Sequence, residues 1–475
     1  MNWKQLLSTK RVKELYGQDS SKPIKGDLRT EFDRDYGRTV FSTPVRRLQD
    51  KAQVFPLERH DAIRTRLTHS LEVSSVSRGL GDLTERLLFV RGDLKLDRDR
   101  GVLGTIAATC GLIHDLGNPP FGHSGEAAIS DWFKRQAKED SAFFEGFNEF
   151  DKVSSAGETQ FARDFLQFEG NAQTQRLLSR LQVLADDFGL NLTCGTLSAS
   201  CKYVAQSNNV NKAKQEMKKH GHFASENELI SKIREEVGTG DCRNPIAFLV
   251  EAADDITYAT VDLEDGVKKR VVTWDFVENA LSSKLEGNSA SLNRALTKAH
   301  DKIDVAGLEG QAREEAMAVA FRTFAIAEMV VETFKVFERN YENIMGGSYH
   351  GELLYESEAG SLAKACKALG FEFVYVSNET LKLELMGRKV ISDLLDCYWE
   401  AAKSFKPGEK LAGFPGKAYG LISTNYRHIF ERNLVQANIL EIPANYFRMQ
   451  LVTDQVSGMT DSYACSVHRE LMNVG

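Results

Sequence analysis

The chain has 475 residues, a formal net charge of -7 and 42% hydrophobic residues. That length suffices for one large helical body with an extension, or for two or three ordinary domains, and allows a sizeable core. The acidic balance argues against a dedicated, strongly basic nucleic-acid surface, although lysines cluster between Lys212 and Lys219.

The seven cysteines are odd in number and scattered, without the close pairing of a thiolate metal site or a redox motif, and they read as reduced thiols. The first residues carry no apolar segment behind a basic cluster, and no later stretch is apolar enough to span a bilayer, so a cytoplasmic location is expected. Nine prolines in the whole chain, with many runs of apolar residues three and four apart, predict a mainly helical fold with at most a few short strands.

In chain order, residues 61–89 place Leu67, Leu71, Val76, Leu80 and Leu83 at helical spacing, with Gly79 and Gly81 as weak points and His69 inside the helix. Residues 102–117 are nearly all apolar or small. They predict a helix buried on several sides that stops at Gly117, with His114 and Asp115 in its last turn. The next stretch, LGNPPFGHSGEAAI, is punctuated by glycine and proline and predicts a shaped turn that presents His123 and Glu126. Segments 139–160 and 205–243 are polar or acidic with several glycines, and read as insertions, the second as a mobile loop or lid. Asn244 and Pro245 begin a helix that runs to Gly266 and puts Glu251, Asp254, Tyr258 and Asp262 on one stripe. From about Trp274 helical patterning resumes, interrupted at 371–377 by FEFVYVS, which predicts one short strand.

The chemistry lies in a few of these residues. An imidazole beside a carboxylate at the end of so apolar a helix needs partners, and a metal ion would satisfy His114 and Asp115 together. Taken alone, a His-Asp pair at a helix end usually caps carbonyls and faces solvent, and His69 alone reads as a core histidine. Asp254 and Asp255 are harder to dismiss, since adjacent carboxylates among apolar residues repel each other and are costly to bury without a cation. Two imidazoles with two carboxylates suit an octahedral divalent ion such as Mn²⁺, Mg²⁺ or Fe²⁺, and the absence of clustered thiolates argues against structural Zn²⁺. Helical geometry alone does not choose between the two aspartates; Asp254 is favoured because it shares its stripe with Tyr258 and Asp262. His123 and Glu126, three residues apart, can act together, the carboxylate orienting the imidazole while the imidazole handles a proton. Arg64 and Arg66 lie at the edge of the His69 helix, where guanidinium groups can neutralise phosphates. The set reads as a metal-dependent phosphohydrolase.

The segments RLTHSLEV, GLIHDLGNPPFGHSGEAAI, FEGNAQTQR, SCKYVAQS and VEAADDITYATVDLED resemble, in order and spacing, the bacterial deoxyguanosinetriphosphate triphosphohydrolases of the HD-domain superfamily. The resemblance is strongest from about Thr43 to Asp265. It implies an N-terminal segment (1–42), a catalytic core (43–275) carrying both insertions, and a C-terminal helical region (276–475) that completes the pocket and the contacts of a homo-oligomer. By the family pattern His69, His114, Asp115 and Asp254 hold the metal, and His123 with Glu126 form the catalytic pair. The implied nucleotide contacts are Gln53, Arg66, Asn171, Lys202, Tyr203, Tyr258 and Asp262, with Tyr258 packing against deoxyribose. The implied reaction is hydrolysis of a deoxynucleoside triphosphate, dGTP foremost, to deoxynucleoside and inorganic triphosphate, with single-stranded DNA or a nucleotide as a candidate effector. Two other readings compete: a related phosphohydrolase acting on a different phosphoester, and a DNA-binding regulatory protein with residual activity.

Overall fold

The computed structural model of the chain describes residues 1–20, 25–53, 57, 63–95, 99–149, 158–182, 186–374 and 378–472, without the side chains of 378–380. Among these residues the fold is mainly α, as expected, and β pairing amounts to isolated bridges such as Ala52 with Thr65 and Ala205 with His220. No described helix is long and apolar enough to cross a membrane.

Ten helices position the site. They are α1 (Arg66–Arg91), α2 (Val102–Ile113), α3 (Gly122–Glu139), α4 (Gly170–Arg176), α5 (Pro245–Lys268), α6 (Gly310–Arg339), α7 (Gly360–Leu369), α8 (Asn378–Ser404), α9 (Ala444–Ser457) and α10 (Asp461–Met472). The N-terminus of α1 is capped by Thr65, whose side chain accepts from the Thr68 N–H. That of α5 is capped by Asn244, which accepts from Ile246 N–H, with Pro245 in the first turn, where its missing N–H costs nothing. Every residue of α2 is buried, which is why its sequence shows no polar face. Its helical geometry ends at Ile113, and residues 114–117 form a turn, so His114 and Asp115 sit just past the helix end.

Two hydrophobic clusters fill the interior. One gathers Val73 and Leu80 of α1, Leu103 and Ile106 of α2, Ile256 of α5, Phe321 of α6 and Leu362 of α7. The other takes Leu112, Ile113 and Leu116 together with Ile129 and Trp132 of α3, Ile391 of α8 and Tyr446 and Val452 of α9. The chain therefore passes from one core to the other at the end of α2, where His114 and Asp115 lie. Arg176 of α4, 3% exposed, ties the second core together by ion pairs to Asp454 of α9 (2.7 Å) and Glu226 (3.0 Å).

The pairing of α1 with α2 depends on glycine. A Cβ at Gly81, expected to be a weak point, would lie 2.9 Å from the Gly104 Cα, so this glycine is a helix crossing. At Gly111, one turn before His114, a Cβ would lie 2.8 Å from Ser77 Oγ and 2.9 Å from Ser74 Cα. The backbones touch there, and His69 and His114 are brought within reach of each other.

Two sequence expectations are corrected. Residues 370–374 are wound as a helical turn continuing α7, because Val374 packs onto Gly266 of α5; the rest of the strand expected at 371–377 lies outside the described residues. Within 205–243, residues Asn227–Val237 form a helix with Leu229, Ile230, Ile233 and Val237 buried, where a mobile loop was expected. Of segment 139–160, the other expected insertion, residues 150–157 lie outside the described residues, while Phe143, Phe144 and Phe147 are core.

Gly111→Ala is expected to destabilise the protein by about 1–3 kcal/mol, as overpacking does, and to weaken metal uptake by spreading α1 from α2. Gly79→Ala, where nothing lies within 4 Å, is the control and should be neutral or slightly stabilising. Chemical denaturation and metal titration of the two variants check this.

Candidate active site

Three elements bring the expected metal set together. His69 comes from the first turn of α1, His114 and Asp115 from the end of α2, and Asp254 from the middle of α5. The His69 Nε2 lies 3.3 Å from Asp254 Oδ1, and His114 Nε2 lies 3.5 Å from the same oxygen and 3.5 Å from Asp115 Oδ2. Donor atoms of His69, His114 and Asp115 fall within 4.8 Å of one another, a group that could hold a metal ion. Asp255 points elsewhere, with its Oδ1 3.6 Å from Lys367 Nζ, and burial pushes its carboxyl up to about 6. Of the two adjacent aspartates, Asp254 is the one that faces the imidazoles.

The donor chemistry fits a divalent ion. His114 Nδ1 is 2.7 Å from the Gly111 carbonyl, to which it donates, so its Nε2 is the nitrogen turned to the two carboxylates. A lone pair facing carboxylates is unfavourable unless a proton or a metal lies between them. Burial opposes protonation of His114, yet the charges of Asp115 and Asp254 outweigh it and raise the imidazole to about 9. Burial likewise works against ionisation of Asp115 and Asp254, and neighbouring cations overcome it. His114 holds both carboxyls low, aided at Asp115 by Arg66 and at Asp254 by Lys202. Arg66 is hydrogen-bonded to Asp115, and Lys202 Nζ lies 3.5 Å from Asp254 Oδ2.

Above this cluster opens a cavity of about 560 Å³. Gln53, Arg66, His114, Asp115, His123, Glu126, Asn171, Lys202, Tyr203, Asp254 and Tyr258 all line it. His69 is fully buried behind the cluster, and Asp262, one turn beyond Tyr258, is buried and not among the lining residues. The Gln53 Oε1 is buried without a hydrogen-bond partner, as a group awaiting a ligand donor would be.

His123 and Glu126 form the expected pair. His123 Nδ1 donates to Glu126 Oε2 at 2.8 Å, and Glu126 Oε1 accepts from the Gly170 N–H at 2.8 Å. The carboxylate is therefore fixed from both sides, and it raises the imidazole above its ordinary value against the opposing effect of burial. The His123 side chain is 85% exposed, so it stands in the cavity's solvent while Glu126 is enclosed by the wall.

Several lining residues escaped the sequence reading: Glu169, Lys219, Lys367, Phe371 and Glu384. Lys219 pairs with Glu169 at 2.7 Å, and its only signal was the local run of lysines. Lys367 lies 5.6 Å above the Tyr258 ring, but on α7 it reads as one more solvated lysine beside Lys364.

No protein-family model matches the chain. Known proteins do. A deoxyguanosinetriphosphate triphosphohydrolase-like protein of Listeria innocua is 35% identical, with 99% of each chain covered. A like-named protein of Synechocystis is 31% identical over all of both chains. A deoxyguanosinetriphosphate triphosphohydrolase of Serratia proteamaculans is 33% identical over 95% of this chain and 96% of that one. The chain belongs to the deoxyguanosinetriphosphate triphosphohydrolase family. In this chain the His/Asp cluster and the cavity above it form one contiguous site.

The protonation of His114 would set the pH dependence of metal binding at this cluster. A metal ligand must be deprotonated, and in the metal-free protein this imidazole keeps its proton up to about 9. Mn²⁺ uptake at pH 7 should therefore release about one proton, and affinity should rise by roughly tenfold per pH unit toward pH 9 and then level off. Calorimetry in buffers of different ionisation enthalpy measures the proton. His114→Ala should abolish both the release and the binding.

Proposed function

We propose that the chain is a metal-dependent deoxynucleoside triphosphate triphosphohydrolase of the HD type, acting foremost on dGTP and yielding deoxynucleoside and inorganic triphosphate. The observation that carries this reading is the single cavity in which the His/Asp cluster, a His-Glu proton-handling pair and the cations Arg66, Lys202 and Lys219 converge. Family membership supports it, since relatives over the full length are named for that reaction.

In this reading His69, His114, Asp115 and Asp254 hold one divalent ion, Mn²⁺, Mg²⁺ or Fe²⁺. When bound, such an ion polarises the phosphoryl group and offsets the negative charge that builds during attack by water. Arg66, Lys202 and Lys219 neutralise the triphosphate tail. Tyr258, buttressed by Lys367, packs against the sugar and leaves no room for a ribose 2′-hydroxyl, while Gln53 meets the base or sugar edge. Asn171 and Tyr203 complete the nucleotide contacts; Asp262, expected among them, is buried and does not line the cavity.

Water oxygen bonds to the α-phosphorus as the bond to the nucleoside 5′-oxygen breaks; one proton of that water stays on the new phosphate oxygen, and the other passes to solvent, from which His123 is reprotonated for the next turnover. The 5′-oxygen is a poor leaving group as an alkoxide, and His123 gives it a proton from the ring nitrogen not engaged by Glu126. Glu126 strengthens the imidazole's hold on its proton and aims the ring into the cavity, which suits an acid. The deoxynucleoside departs neutral, and the three phosphates remain joined. A cytoplasmic homo-oligomer, with single-stranded DNA or a nucleotide as effector, belongs to the same proposal through the family resemblance.

The test is to incubate the protein with each deoxynucleoside triphosphate, with and without Mn²⁺, and to separate the products. Inorganic triphosphate and free deoxynucleoside are expected with metal; monophosphate and pyrophosphate, or no product, would overturn the reading. Glu126→Gln should keep its metal and lose about 10²–10⁴-fold in turnover.

A further inference from the structure

Phe121 immediately precedes α3, the helix of His123 and Glu126, and its backbone lies in the left-handed region at φ 63° and ψ 18°. A bulky L residue adopts that conformation only when its surroundings impose it. The ring is 5% exposed and so tightly seated that a Cβ at Gly387 would lie 2.6 Å from it. The backbone N–H of Phe121 is held from the far end of the chain. It donates to Asp461 Oδ1 at 2.9 Å, and the other oxygen of that carboxylate accepts from the Ala52 N–H at 2.9 Å.

Asp461 is the first residue of α10, 2% exposed, and does not line the cavity. Its two oxygens serve the two backbone segments that present cavity residues: Phe121 leads into His123, and Ala52 into Gln53. Beside it, Lys51, 3% exposed, donates from Nζ to the carbonyls of Asn118 and Ser457, fixing the start of the same turn to the end of α9. Besides its own bonds from Asn118 N–H to Asp115 and from Gly122 N–H to Pro119, the turn between Asp115 and His123 is thus tied to the C-terminal segment at one end through Lys51 and at the other through Asp461.

We propose that Asp461 is a positioning residue: it holds Phe121 in the left-handed conformation and thereby sets where His123 and Glu126 stand relative to the His/Asp cluster. A carboxylate is required because two N–H donors need two acceptor oxygens, and an amide of the same shape would turn an N–H₂ toward one of them. None of the four expected metal ligands bonds to Asp461: His69 and Asp254 stand on α1 and α5, and His114 and Asp115 directly follow α2. Metal binding and turnover should therefore separate.

The inference rests on the proposed reaction for its kinetic readout only. Full-length Asp461→Asn, loaded with Mn²⁺, is compared with the wild type for metal content, for kcat and KM with dGTP, and for hydrogen exchange at residue level. The expected result is a roughly 10–100-fold fall in kcat with metal content unchanged, and faster exchange at Phe121 and Ala52. A kcat within twofold of wild type, or loss of metal in step with loss of activity, would overturn it. Should the variant not fold, the wild-type amides decide: Phe121 and Ala52 must exchange far more slowly than exposed turn amides, and equal rates would sink the proposal. A wild type that releases no triphosphate would refute the reaction, while the exchange data would still judge the role of Asp461.

Discussion

Two carboxylates enclosed opposite two imidazoles are the constraint on which this structure turns. Asp115 and Asp254 repel each other, and in a poorly hydrated interior that repulsion is several times its value in water. Arg66 and Lys202 compensate from the outer side, and a proton on His114 compensates from the inner side. A divalent cation bound there would replace that proton with two positive charges among the four donors. The arrangement is costly as a piece of packing and sensible as a binding site.

The rest of the fold serves to keep these groups close. Backbone contact between α1 and α2 at Gly81 and Gly111 sets the spacing of His69 and His114, and the caps at Thr65 and Asn244 fix where α1 and α5 begin. Gly170 shows the same economy on the catalytic side. Its N–H holds Glu126, and a Cβ there would lie 2.2 Å from Asn118 Oδ1 and 2.7 Å from Glu126 Oε1. The His123–Glu126 pair and the His/Asp cluster thus stand on separate supports that meet in one cavity.

Much of this was legible in the sequence because it is local. An all-apolar helix ending in His114 and Asp115, an Asn-Pro helix start before Asp254, and a turn rich in glycine and proline before His123 each follow from neighbouring residues. Asp254 could be preferred to Asp255 from its stripe, and the structure turns Asp255 to Lys367. What escaped depends on distant contacts. Residues 371–374 alternate like a strand, but Val374 is held by Gly266, and tertiary packing overrides propensity. The polar surroundings of 227–237 hid a helix whose four apolar residues are buried. Lys219 and Lys367 reach the cavity, and Asp461 the backbone behind it, through contacts distant in sequence, and apart from the run of lysines before Lys219 nothing in their own neighbourhoods distinguishes them from solvated charges.

A cation at the His/Asp cluster is what would reconcile its four side chains. The most direct measurement is diffraction from crystals grown with Mn²⁺, recorded at the manganese absorption edge. One anomalous peak per chain is expected, bonded to nitrogen of His69 and His114 and to oxygen of Asp115 and Asp254 at roughly 2.0–2.3 Å. Absence of a peak at saturating Mn²⁺, or a peak held by other side chains with these four still facing one another across hydrogen bonds, would contradict it.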